Sequence, residues 1–287
     1  MGYLHIENLY KNQTILLFKE CYALEKIHGT SAHIKWSSAQ KQIFFFSGGE
    51  KHENFIKIFD QEALQNKFIE LFSDRDITIY GEAYGGKCQR MSNTYGKELK
   101  FIAFEVDIYD RWLNVPKAEE ICKEFNIEFV DYKRISTDLD SLNYEMYRDS
   151  AQAIRNGCGE GKLREGIVLR PLEEMILNNG ARIISKHKRE EFRETKTPRT
   201  VDAEKLKILS DASDIAEEWV TETRLVHVLD KMPVDTNVES TSKVIAAMIE
   251  DIYREAKGEI IESKDVSRAI GNKTATMFKQ RLRDKLK

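Results

Sequence analysis

The apolar residues of this chain change their period once, at KTPRTVDAEK (residues 196–205), and that change limits what the chain can fold into. Before it, short β-rich runs sit beside turn residues: CYALEKI, SAHIKW, QIFFFSGG, ITIYGEAYGG, KFIAFEVDIY and EGIVLRP. Helical spacing intervenes at DQEALQNKFIELF and at PKAEEICKEF, where Pro116 suits a first-turn position. After it the spacing is helical, most clearly in STSKVIAAMIEDIYREAK. The pattern predicts an α+β domain of antiparallel sheets with flanking helices over residues 1–199. A small all-helical domain is expected over residues 200–287, with the boundary near Thr200. Three helices are expected there: Asp202 to about Val220, Ser242 to about Lys257, and Ser263 to near the end, the last two opening on Ser or Thr caps.

At 41% hydrophobic and 32% charged, the 287 residues have the balance of a globular chain. No apolar run approaches the roughly 20 residues of a membrane span, and MGYLHIENLYKN lacks the basic start and apolar core of a secretory signal. We therefore expect no membrane partner, a cytoplasmic location (the host's, for a viral chain) and a monomer. Cys21, Cys88, Cys122 and Cys158 are far apart and form no C-x-x-C pair, so free thiols are expected rather than zinc or disulfides. The net charge of −3 says little about a nucleic-acid partner, but its distribution says more. From residue 264 onward, Lys264, Arg268, Lys273, Lys279, Arg281, Arg283, Lys285 and Lys287 stand against only Asp265 and Asp284. The last helix is thus either a clamp for a phosphate backbone or a charged solvent face.

One motif misleads. NGCGEGKLREG looks like a phosphate-binding G-x-x-x-x-G-K-[ST] loop, yet Leu163 follows Gly161-Lys162 and Asn156 stands where the first glycine belongs. A glycine-rich turn before a strand fits better. The stronger signal is five stretches in fixed order: EKIHG with Lys26, YGEAYGG with Glu82, FIAFEV with Phe104 and Glu105, EGIVLRP with Glu165, and SKHK with Lys186 and Lys188. Singly, each has an ordinary reading: an exposed strand-end lysine, a surface carboxylate, a core aromatic, a solvated lysine pair.

Together they resemble the covalent nucleotidyltransferase superfamily of polynucleotide ligases and RNA capping enzymes. EKIHGTSA with YGEAYG, FIAFEV and EGIVLRP is most similar to the RNA ligase 2 family, over residues from about 20 to 190. DNA ligases typically carry an Asp in the lysine turn where this chain has His28. The resemblance implies a nucleotidyltransferase fold and ATP-dependent joining of RNA 5′-phosphate and 3′-hydroxyl ends, nicked duplexes included. The reaction would pass through AMP on Lys26 and an adenylated RNA, with Mg2+ or Mn2+ as cofactor. It also implies a helical second domain in place of the OB-fold of DNA ligases and capping enzymes.

The chemistry suits these residues. A lysine amine is protonated near neutral pH, so Lys26 needs nearby cations to favour its neutral, nucleophilic form; Lys186, Lys188 and a bound magnesium ion would supply them and also hold the triphosphate. Glu165 and Glu82, at strand ends, suit magnesium, although by resemblance Glu82 contacts the ribose instead. Phe104 is expected to stack on adenine. Glu105, on the opposite side of its strand, would help position the nucleotide or RNA. By resemblance Glu25, beside Ile27, recognises the base through its backbone or carboxylate, and Arg170 binds phosphate. His28, Gly29 and Thr30 form the turn, with His28 ranked second as a phosphate contact. One departure stands out: the family's arginine after the second strand is missing from IFFFSGGEKHENF, leaving Ser47, Lys51 or His52 to substitute. Alternative readings are a DNA ligase, a GTP-dependent capping-type enzyme, or a catalytically silent RNA-binding module.

Overall fold

The computed structural model describes residues 2–177, 180–192, 203–232, 237–257 and 259–284. The chain divides into two units, Met1–Met175 with Arg182–Val201 and Ile176–Ala181 with Asp202–Lys287. The boundary expected near Thr200 lies outside the described residues, as do Lys285 and Lys287.

The first unit runs β1 (Glu20–Lys26), β2 (Thr30–Ser37), β3 (Gln42–Ser47), α1 (His52–Ile56), α2 (Gln61–Phe72), β4 (Ile77–Gly85), α3 (Ser92–Tyr95), β5 (Leu99–Ile108) and β6 (Arg111–Trp112). It continues with α4 (Val115–Glu124), β7 (Tyr132–Ser136), α5 (Leu139–Tyr147), α6 (Ala151–Arg155), β8 (Gly166–Arg170) and β9 (Ser185–Lys188). Two antiparallel sheets result, of order β3-β2-β4-β5-β6 and β7-β1-β8-β9. All six expected strand segments are present. β6, β7 and β9 are additional; β6 has only two residues, and YKRIS and SKHK contain too few apolar residues to show an alternation.

Alternation in β2 buries Ala32, Ile34 and Trp36 and turns Ser31, His33 and Lys35 to the other face. The buried side packs on α2 and α4. Asp60 caps α2 by accepting from Ala63 N–H at 3.1 Å, and Leu64, Phe68 and Phe72 recur at four-residue spacing along its inner face. Trp36 stacks on Phe68 with centroids 5.9 Å apart, and its indole N–H donates to Phe72 O at 2.7 Å. Asn114 caps α4, Pro116 occupies its first turn, and Val115, Ala118 and Cys122 are buried.

One irregularity interrupts the pairing of β4 with β5. Tyr80 pairs with Glu105 but Gly81 pairs with Ala103, so Phe104 is an extra residue on β5, a β-bulge. Glycine is required opposite it: a Cβ at Gly81 would lie 2.2 Å from Ile102 O and 2.5 Å from the Phe101 ring.

The second unit contains α7 (Ala203–Trp219), α8 (Glu222–Asp230), α9 (Thr241–Glu255) and α10 (Lys264–Asp284) around Leu225, Val244, Met248, Ile252, Ile270 and Phe278. The three expected helices are α7, α9 and α10. Ser263 caps α10 through Val266 N–H at 3.1 Å, whereas α9 is entered through a 3-10 turn capped by Asn237. The unexpected α8 has nine residues, too few to show a clear period; Thr221 caps it at 3.2 Å from Arg224 N–H. Among the described residues no helix is long and apolar enough to cross a membrane, and all four cysteines are free.

Candidate active site

Strand pairing assembles the site. Lys26, the last residue of β1, pairs with Gly166 of β8, which pairs in turn with Lys188 of β9. Glu165, just before β8, therefore reaches both lysines: Oε2 lies 2.9 Å from Lys26 Nζ and Oε1 lies 2.8 Å from Lys188 Nζ. The turn after β1 brings His28 Nδ1 to 3.1 Å from the same Oε2. Burial by itself would raise the Glu165 carboxyl, but the His28 hydrogen bond and the charges of Lys26 and Lys188 outweigh it and hold the pKa at about 2. Lys26 keeps 23% of its side chain exposed while Glu165 keeps 2%, so the anchor is sealed and the amine is accessible.

The turn itself is tight. Gly29 N–H donates to Glu82 Oε1 at 3.2 Å, and a Cβ at Gly29 would fall 2.3 Å from Ala83 O. Burial raises the Glu82 carboxyl; Lys26 opposes that shift, Glu165 reinforces it, and the result is about 7. Two neighbouring carboxyls thus differ widely in acidity. Among the described residues there is no group of three or more His, Cys, Asp or Glu that could hold a metal. Glu82 and Glu165 alone suit a hard cation that keeps waters and takes substrate oxygens, as Mg2+ does, and do not form a protein-only cage.

Lys26 opens onto a cavity of about 340 Å3, whose walls include Glu82, Phe104, Glu105, Lys186, Ile27 and Ser31, within the size range of small-ligand sites. Alternation along β9 separates Lys186 and Lys188 from His187, which bonds Asn143 at 2.8 Å. The cavity holds Glu105 as well as Phe104 because the bulge breaks the alternation. Glu105 therefore does not face the opposite side of its strand, as the sequence suggested.

Three expected binding residues turn out to be internally engaged. Glu25 is buried, accepting from Ser150 Oγ at 2.5 Å and Gln152 N–H at 3.2 Å, so its carboxylate is committed to the start of α6, while the residue also lines the cavity. Arg170 is 1% exposed and donates to Glu174 Oε1 at 2.8 Å and Phe104 O at 3.3 Å, with Glu105 Oε1 3.0 Å away. It lines the cavity with its guanidinium paired to these protein acceptors. Glu105 is sealed by Arg170, Arg182 and the Tyr3 hydroxyl, and the Arg182 guanidinium lies 4.2 Å from the centre of the Trp112 ring. Thr30 is the first residue of β2 rather than part of the turn.

Sequence reasoning missed Arg182, Tyr3, Ser31 and the stretch Leu4 to Ile6, all beside the cavity or behind its wall. The opening residues run along β9, with Lys186 N–H donating to Glu7 O at 2.9 Å and Leu9 N–H to Lys186 O at 2.8 Å. Ser31 Oγ is buried without a hydrogen-bond partner; it faces Glu82 across the β2–β4 register. None of Ser47, Lys51 and His52 lines the cavity. NGCGEGK is a turn leading to β8 with no helix after it, as expected of a misleading motif.

Comparison with known proteins bears on the family and the fold. The RNA ligase family model matches residues 19–188. No curated protein matches the sequence significantly. Three solved structures of the Naegleria gruberi RNA ligase resemble the chain at 15% identity and a TM-score of 0.50: an apo mutant, a mutant with ATP and Mn, and the protein with pyrophosphate. Each match covers 67% of this chain and 56 or 57% of the other, so the chain spans little more than half the length of the proteins it matches. At that identity the likeness shows the fold, which is the α+β nucleotidyltransferase fold expected from the sequence.

Proposed function

The chain belongs to the RNA ligase family, and on that premise we propose that it joins RNA 5′-phosphate and 3′-hydroxyl ends at the expense of ATP, through AMP carried on Lys26. The observation that carries this reading is an accessible amine held by a sealed carboxylate at the mouth of a nucleotide-sized cavity.

In the first step Lys26 Nζ attacks the α-phosphorus of ATP; an N–P bond forms and the bond to pyrophosphate breaks. An oxygen of the RNA 5′-phosphate then attacks the same phosphorus and releases Lys26. Finally the 3′-hydroxyl attacks the RNA phosphorus and AMP leaves. Such transfers depend mainly on alignment and on neutralising oxygen charge. Glu165 fixes Lys26, Lys188 and His28 around one point, so the attacking nitrogen and a cation for the phosphates are oriented before substrate arrives. Glu82, bonded to the Gly29 N–H of the lysine turn, lies within electrostatic reach of Lys26 on the cavity wall. Lys186 adds a second cation on the cavity wall, and Phe104 offers an aromatic face for the base. Mg2+ or Mn2+, held by Glu82 and Glu165 with substrate oxygens, would supply further charge neutralisation.

Intact-mass spectrometry after incubation with ATP and magnesium tests the first step. Wild-type protein should gain one AMP and Lys26→Ala should gain none. A panel of 5′-phosphorylated RNA strands, nicked RNA duplexes and nicked DNA then tests the substrate. Folded protein that never acquires the adduct, or that seals only DNA, overturns the proposal.

A further inference from the structure

The cations of α10 after its first residue, Lys264, divide into two sets. Lys273 Nζ lies 2.8 Å from Glu217 Oε2, and Arg281 is ion-paired with Glu222, so these two tie α10 to α7 and α8. Arg268 and Arg283 are exposed and Lys279 is half-buried, and none of the three has an acidic partner within ion-pair distance among the described residues. At roughly 100° per residue, Arg268, Asn272, Thr276, Lys279 and Arg283 fall within an arc of about 80°. That arc lies opposite the buried residues Ile270, Thr274 and Phe278. Lys273 and Arg281 fall outside it.

An ordinary solvated helix face mixes both signs and links them at four-residue spacing. This one does not. Asp265, beside Lys264 in the first turn, is the one acid on the arc among the described residues, in a chain whose 48 acidic residues outnumber its 45 basic ones. Between the cations stand Asn272 and Thr276, neutral side chains that donate and accept hydrogen bonds. From Arg268 to Arg283 the stripe extends about 22 Å at 1.5 Å per residue, enough to lie across several phosphates of one strand.

We propose that Arg268, Lys279 and Arg283 form a phosphate-backbone contact for the RNA substrate on the helical unit, an inference that rests on the RNA ligase reading. The contact is indifferent to sequence, because it uses point charges and no base edges.

The test compares the full chain with R268A/K279A/R283A and with K273A, using labelled mixed-sequence RNA, single-stranded and as a nicked duplex, from 50 to 200 mM salt. Three contacts at about 0.7 each should lower the salt slope of the triple variant by about 2. The wild-type advantage should therefore shrink roughly tenfold to twentyfold across that range. K273A, which removes a paired cation from the same helix, should keep the wild-type slope, and AMP transfer to Lys26 should proceed in every variant. A triple variant with the wild-type slope overturns the proposal, as does a wild-type chain that forms the adduct but has no salt-dependent RNA affinity. RNA binding without adduct formation would instead overturn the ligase reading and leave the stripe standing.

Discussion

Two buried carboxylates support the same cavity, Glu165 by anchoring the Lys26 that lines it and Glu105 by lining it directly, and their partners differ in kind. Glu165 is surrounded by two lysines and a histidine, Glu105 by two arginines and a tyrosine. Lysine and histidine exchange protons and shift their pKa readily; arginine stays charged and binds carboxylates through a rigid planar fork. The Glu165 end is thus suited to charge that must move during a reaction, and the Glu105 end to charge that must stay put. The site pairs an adjustable end with a fixed one.

Arg182→Met should have the largest effect on folding. Removing one partner of a buried ion pair typically costs about 3–5 kcal/mol, and because Arg170 still pairs with both Glu105 and Glu174 the cost here should fall toward the lower end. Arg182 bonds Glu105 and Glu174 and packs on Trp112, so thermal unfolding should shift down strongly. Whatever protein remains folded should still form the adduct. A variant with unchanged melting and lost adduct formation would move this end into the chemistry and erase the contrast.

Glu165→Gln should act in the opposite sense. The amide keeps the shape but cannot anchor Lys26, Lys188 and His28 by charge, so adduct formation should slow roughly a hundredfold, on the scale of losing one preorganised electrostatic partner. Quenched-flow measurement of AMP incorporation reads this directly. An unchanged rate would mean that the carboxylate only fills space.

The difference between the two ends was only half legible beforehand. EKIHG, EGIVL and SKHK carry the adjustable end because each pairs an ionisable residue with a turn or an apolar strand, and that contrast is visible in one dimension. The fixed end was hidden. Tyr3 and Arg182 both lie outside the strands and helices, in stretches too short to show a period. Their partner is defined only when β5 bulges at Phe104. Gly81, alone inside a strand-like run, was the one available signal for that bulge, since an isolated strand glycine marks a bulge or a close backbone approach. Likewise Arg170 looked basic and available because a sequence does not show that a neighbouring turn will supply Glu174.

The adjustable end also predicts a pH signature. Glu165 is depressed to about 2 in the folded chain, so its stabilisation is present above about pH 4.5 and is lost as the pH falls toward 2. Glu82 is raised to about 7, so the folded state holds a proton that the unfolded chain has released; stability should decline as the pH rises from about 4.5 through 7. Glu82→Gln removes that second slope. The shift corresponds to at most about 3–4 kcal/mol. Denaturant unfolding of both proteins at pH 5 and pH 7.5 should therefore show the wild type losing more stability than the variant. Parallel losses would mean that Glu82 titrates normally.

The smallest effect tests the contrast most closely. Tyr3→Phe keeps the ring against Phe104, Tyr80 and Trp112 but removes the hydroxyl bonded to Glu105. Arg170 and Arg182 still hold that carboxylate, so the loss should be limited to one charge-assisted hydrogen bond, about 1.5–3 kcal/mol at most. Adduct formation at saturating ATP should stay within about twofold of wild type, because no group near Lys26 has changed. Tyr3→Ala removes the ring as well and should raise the ATP concentration needed for half-maximal labelling, since Tyr3 walls the cavity. Should Tyr3→Phe instead lower the saturated rate while leaving stability intact, the hydroxyl would be acting on the reaction, and the fixed end would not be passive support.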